Sequence, residues 1–218
     1  MYGGQEAYLR FNGLLVLCIS DRPRGKFIPS GLQKQGADTM RADENPLKSQ
    51  PLSPERDRIR CYHEAGHALL ALHFGVNVKE IWGGDVARTI NDEETYKVAS
   101  PRVRAMLALA GGVTEDVVFG QRSPGCCDGD LTKAEKILDE IAAPGIELGG
   151  MRAALEGEAR RILSQPVFRS ALDILALEIE TAPFVVGTWA LELLARKCPE
   201  IGPHLRVPLP VVKRHSDL

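Results

Sequence analysis

The strongest chemical signal in the sequence is a five-residue string, His63-Glu64-Ala65-Gly66-His67. Residues four apart on a helix share a face, with Cβ atoms roughly 5–6 Å apart. Two imidazoles placed this way can converge on one zinc ion at about 2.0–2.1 Å. Glu64 lies roughly 100° round the helix from His63. It can reach a water held by the metal without ligating the metal itself. A carboxylate there can take that water's proton and later return it to a leaving amine. The pattern predicts metal-assisted hydrolysis of peptide bonds, with Glu64 as general base and then acid.

A catalytic zinc needs a third protein ligand and keeps one position open. His73 lies six residues beyond His67 and on another face, and His204 and His215 fall in a proline-rich tail. The acidic candidates are Glu115, Asp116, Asp128 and Asp130, and the vicinal thiols Cys126 and Cys127 are a further pair. Asp130 also suits a helix N-cap before Leu131. Thr132 with Glu135 suits a capping box.

These residues need elements to position them. Residues 56–74 read as one long helix ending before Gly75. Cys61, Ala65, Ala68, Leu69 and Leu72 fall on the side away from the histidines. With Leu70 and Phe74 the helix is apolar nearly all round, and burial follows. Buried imidazoles need partners, which a metal supplies. Val76 to Trp82 lacks a helical stripe and stops at Gly83-Gly84, so it predicts a short strand. That strand is either part of the core or an edge for pairing with an extended peptide. Ser100-Pro101 opens a second helix that Gly120 closes. A loop is expected from Gln121 to Gly129, then helices over about 131–143, 151–164, 167–181 and 184–197. The fold class is mainly α, with a short strand or small sheet beside the histidine helix.

Three segments in fixed order also resemble a known family. Tyr62-His63-Glu64-Ala65-Gly66-His67-Ala68-Leu69 is similar to the zinc-binding helix of the FtsH-type peptidases, metallopeptidase family M41. Ala110 to Gly120 resembles that family's Gly-Gly-x-x-Ala-Glu-Glu helix. Gly125 to Ala134 resembles its Gly-x-x-Asn-Asp-Leu-x-x-Ala segment, with one extra residue before Asp130. The resemblance implies that Asp130 is the third zinc ligand beside His63 and His67, with Asp128 as its rival. Glu115 would then hold a histidine's other ring nitrogen, or be a packing carboxylate. On this reading residues 1–55 are a flexible or loosely docked extension, 56–198 an M41-like peptidase domain, and 199–218 a proline-rich tail.

There are departures from the family. No G-x-x-x-x-G-K-[ST] string occurs in the chain, so the expected activity is ATP-independent and the peptidase stands without its ATPase module. The alternative is a non-proteolytic, zinc-binding interaction or regulatory domain derived from such a peptidase; Glu64 argues against it, because zinc binding alone does not require that carboxylate. The expected partner is a polypeptide substrate. A homo-oligomer and a separate ATPase partner are left open, the family's ring being hexameric.

Composition agrees with an ordinary globular protein. The 218 residues are 44% hydrophobic with a formal charge of −2, which argues against a general nucleic-acid binder. The five cysteines form an odd set without regular spacing, which points to a reducing compartment. The apolar run Leu14 to Ile19 is too short for a bilayer, which needs about 20 residues. No membrane span and a cytoplasmic location are therefore expected.

Overall fold

The computed structural model describes residues 10–11, 14–15, 54–84, 87–124, 127–182 and 184–210. The extension expected over residues 1–55 lies almost wholly outside them, as do Cys126 and His215. Within Met1–Pro46, the first of two units, β1 (Arg10–Phe11) pairs antiparallel with β2 (Leu14–Leu15).

The second unit, Leu47–Leu218, is mainly helical. Helix α1 (Pro54–Phe74) opens on a proline and carries Glu55 and Asp57 in its first turn. Proline costs no hydrogen bond there, and the acids complement the helix dipole. The chain leaves α1 at Gly75, whose φ of 83° favours a residue without a side chain. From Cys61 to Gly66 every residue is buried, so α1 is the core element that its composition predicts.

Next comes β3 (Val78–Trp82), then β4 (Arg88–Asn91), the short helix α2 (Glu93–Val98) and the long helix α3 (Pro101–Phe119). Ser100 caps α3 by accepting from the Val103 N–H at 3.3 Å, and Gly120 ends it in the left-handed region. The span Ala105 to Glu115 is buried on every side. Then follow α4 (Asp128–Ile141), α5 (Leu148–Leu163), α6 (Pro166–Thr181), β5 (Phe184–Val186), α7 (Gly187–Lys197) and a 3-10 turn (Pro199–His204).

The antiparallel sheet has the order β4-β3-β5. Strand β3 is therefore central, and its reading as a peptide-pairing edge is overturned: both its edges are taken. β4 and β5 are the outer strands. The helix expected over 184–197 is also corrected, because it starts at Gly187, after three residues of strand. Phe184 and Val186 serve the β3 edge before the chain turns into α7. A Cβ at Gly187 would collide with the Val78 carbonyl, so this junction admits only glycine.

The core lies where α1 packs between α3 and α6. Phe168, Leu172, Leu175 and Ile179 of α6 are fully or almost fully buried. Past α7, Ile201, Leu205 and Val207 are buried too, and the Arg206 and Val207 N–H groups donate to the Leu72 carbonyl. Among the described residues no helix is long and apolar enough to cross a membrane.

Candidate metal centre

Three side chains from two distant segments converge beside α1. His63 Nε2 lies 3.0 Å from Asp130 Oδ2, His67 Nε2 lies 3.2 Å from the same oxygen, and the two Nε2 atoms are 3.0 Å apart. The far side of each ring explains what these atoms are. His67 Nδ1 is 2.7 Å from the Leu107 carbonyl, which can only accept, so Nδ1 carries the proton. His63 Nδ1 is 2.7 Å from Glu115 Oε1, a carboxylate oxygen that likewise accepts. In neutral rings both Nε2 atoms therefore present bare lone pairs. They point at one another and at an anionic oxygen. Three acceptors at this spacing repel unless a cation lies among them.

The donor set fits zinc. A tetrahedral ion with bonds of about 2.0–2.1 Å separates its ligand atoms by about 3.3 Å, close to the spacing of this triangle. Two imidazoles, one carboxylate and outer partners on both Nδ1 atoms are what such a site requires. The protein groups favour positive charge here. Burial opposes protonation of His63, yet its bonds to Asp130, Cys127 and Glu115 outweigh that and push its pKa up to about 12. Burial raises the Asp130 carboxyl, but the two imidazoles hold it below the usual carboxylate range.

The surroundings follow from packing. α1 and α3 approach closely because Gly66 and Gly111 lack side chains. A Cβ on Gly66 would strike the Thr114 hydroxyl, and one on Gly111 would fall on the His63 ring. The glycines inside the two helices are thus part of the site. Glu115 is fully buried, an expensive place for a carboxylate. It accepts from the Ser123 N–H at 2.6 Å as well as from His63, and the Cys127 thiol lies 3.8 Å from Oε1. Burial pushes the Glu115 carboxyl up, and the His63 and Ser123 bonds overcome it to hold it low.

Glu64 is 5% exposed and lines a cleft of about 360 Å³ together with His63, His67 and Asp130. The Thr89 hydroxyl, on β4, donates to Glu64 Oε2 at 2.8 Å and sits 3.0 Å from the Glu64 carbonyl oxygen.

Several expectations change here. Helix α4 begins at Asp128, not after Asp130, and its N-cap position is Cys127 without a side-chain cap bond. Asp130 is therefore inside the first turn and is not an N-cap. The Thr132–Glu135 capping box is absent as well: Thr132 donates to the Asp128 carbonyl, and Glu135 pairs with Arg152. Asp128 is exposed and takes no part in the cluster, whereas Asp130 does. Asp116 is bound by Arg122 and Arg160, each at 2.8 Å. His73 meets the His204 carbonyl at 2.5 Å. Cys127 is buried behind His63, within a second close group of His63, Glu115 and Cys127. Strand β4 and Thr89 were not anticipated, although Thr89-Ile90, a β-branched pair after Gly83-Gly84, is a fair hairpin signal.

No family model matches the chain. An alignment 100 residues long, taking in 41% of the chain, is 31% identical to the ATP-dependent zinc metalloprotease FtsH of Acholeplasma laidlawii (strain PG-8A), of which it covers 15%. An alignment 130 residues long, taking in 55% of the chain, is 31% identical to the ATP-dependent zinc metalloprotease FtsH of Lactococcus lactis subsp. lactis (strain IL1403), of which it covers 18%. The chain spans less than a fifth of the length of these curated relatives. Part of it is thus related in sequence to a region of zinc metalloproteases.

Proposed function

We propose that this chain is a zinc metallopeptidase of the M41 type that hydrolyses peptide bonds in polypeptides. The triangle of two imidazole Nε2 atoms and the Asp130 oxygen carries this reading, with Glu64 beside it in the cleft. The similarity to FtsH proteins supports it. His63, His67 and Asp130 would hold the ion. Bound zinc supplies a Lewis acid that polarises a peptide carbonyl and makes water a readier proton donor.

The chain's own residues do the rest. Glu64 takes a proton from the attacking water and hands it to the departing amine. Thr89 engages Oε2 of Glu64, so β4 sets the orientation of the carboxylate and leaves Oε1 for the proton. Glu115 keeps the proton of His63 on Nδ1, and the Leu107 carbonyl does the same for His67, so both Nε2 atoms stay ligating. β4 is an outer strand of the sheet and lines the cleft through Arg88, Thr89 and Asn91. An extended substrate pairs there through its backbone, in place of the edge expected at β3. No G-x-x-x-x-G-K-[ST] string lies within these residues, and the proposed proton transfers use no nucleotide.

The test compares wild type with Glu64→Gln on an unfolded, casein-like protein in the presence of zinc. Both should hold about one equivalent of zinc, and the variant should cleave about 10²–10⁴-fold more slowly. If both bind zinc and wild type cleaves nothing in a broad peptide library, the chain is a zinc-binding interaction domain instead.

A further inference from the structure

Three basic side chains line the same cleft, and the steps just described use none of their charges: Arg60, Arg88 and Lys133. Each comes from a different element, close in sequence to a site residue. Arg60 lies one turn before His63 and Glu64 on α1, Arg88 precedes Thr89 on β4, and Lys133 lies one turn beyond Asp130 on α4. They therefore reach the cleft from both walls.

Among the described residues none of the three has a carboxylate partner. The Arg88 guanidinium lies over Trp82 at 5.4 Å, the Lys133 ammonium over Tyr96 at 5.3 Å, and Arg60 Nη1 donates to the Gly84 carbonyl at 3.3 Å. Stacking on a ring holds a cation in place without neutralising it. Elsewhere Lys97, Arg102, Arg152 and Arg196 meet glutamates. Among the described lining residues the carboxylates are Asp130, set between the two imidazoles, and Glu64, bonded to Thr89. In a chain of net charge −2, the described lining of this cleft sets three fixed cations against two carboxylates. A divalent ion at the histidines adds further positive charge. A concave wall of one sign concentrates the field on whatever enters.

We propose that the cleft selects polypeptide segments bearing carboxylates beside the bond presented to the metal centre, with Arg60, Arg88 and Lys133 as the specificity-determining residues. As a statement about substrates this rests on the peptidase reading above; as a statement about binding it does not. The carboxylates can be Asp and Glu side chains or a free chain end, which share the chemistry that the three cations recognise.

Binding separates these sources. The zinc-loaded wild-type chain is titrated with labelled peptides of about ten residues whose central amide is reduced to CH2–NH, which no hydrolase can cut. One peptide is acidic with an amidated end, one neutral with an amidated end, one neutral with a free carboxylate, and one basic. At about 50 mM salt the acidic peptide should bind about tenfold more tightly than the neutral amide, from up to three ion pairs each contributing a few-fold, or the free-carboxylate peptide a few-fold more tightly, from one. Whichever of the two binds tightly identifies the source. The advantage should shrink at about 0.5 M salt, where screening acts over a few ångströms. In Arg88→Glu/Lys133→Glu it should vanish or pass to the basic peptide. Both positions are exposed, so the variant should keep its fold, to be checked by circular dichroism. Equal binding of all four peptides, or a preference unchanged in the variant, overturns the proposal. Ordinary peptides of the same sequences decide the peptidase reading separately. Acid-selective binding without cleavage leaves the selectivity standing and removes the peptidase; cleavage without selectivity does the reverse.

Discussion

Helix α1 meets its two main neighbours in opposite ways. Towards α3 it presents Gly66 and His63, and receives Gly111, Thr114 and Glu115. Towards α6 it meets a wall of Phe168, Leu172 and Leu175, with Tyr62 reaching over to Asp173 at 2.7 Å. On the α6 side the requirement is apolar volume, which many side chains can supply. On the α3 side it is a fixed distance, because the His63 ring occupies the space where Gly111 has no Cβ. One helix thus carries both the stability of the core and the placement of the site, and the two can be perturbed separately.

The largest effect should come from the apolar side. Phe168→Ala empties a fully buried site and should cost about 3–5 kcal/mol in urea unfolding. Zinc affinity of the folded fraction should be unchanged. Lost affinity in a folded Phe168→Ala chain would show that the two contacts are not separable.

A pH series in chelator probes the polar side. His63 is raised to about 12 from 6.5, so its contribution is fully present below pH 6.5 and is lost as pH rises towards 12. Asp130 is lowered, so its contribution is present above its unfolded pKa and is lost only in strong acid. Between about pH 7 and 9 stability should therefore fall, by up to about 1.4 kcal/mol per pH unit. With excess zinc the slope should weaken or reverse, since the metal displaces the proton. Parallel slopes in the two buffers would disconnect the cluster from metal binding.

The sharpest contrast uses two small changes. Gly111→Ala adds one methyl and gains about 1 kcal/mol of helix propensity. It should still destabilise by about 1–3 kcal/mol, and weaken zinc binding at least about tenfold through the displaced imidazole. Leu172→Met, at a fully buried position opposite, should cost less than about 1.5 kcal/mol and leave zinc untouched. Comparable losses for the two would erase the distinction between volume and distance.

Much of this arrangement is legible in the sequence. The spacing of His63 and His67 placed two nitrogens on one face, and Ser100-Pro101 and Gly120 marked both ends of α3. The start of α4 was misplaced because Cys127-Asp128-Gly129 carries few helix formers and Cys127 offers no side-chain cap bond. β5 was read as helix because its three residues run straight into an amphipathic segment, and its pairing with β3 is non-local. Thr89 went unnoticed because a threonine hydroxyl on a four-residue strand carries no period or spacing of its own.

What the sequence determined by itself is what one helix can hold: two imidazoles and a carboxylate whose mutual positions depend on a repeat of 3.6 residues. Only the tertiary structure decided that Asp130, 63 residues beyond His67, meets both rings, that Glu115 and the Leu107 carbonyl settle which nitrogen is free, and that β4 and α4 bring Arg88 and Lys133 to the cleft. The reason is that periodicity acts along a single element, whereas these contacts depend on how closely two elements approach. That distance is set by glycines whose role appears only when the opposing side chain is in place.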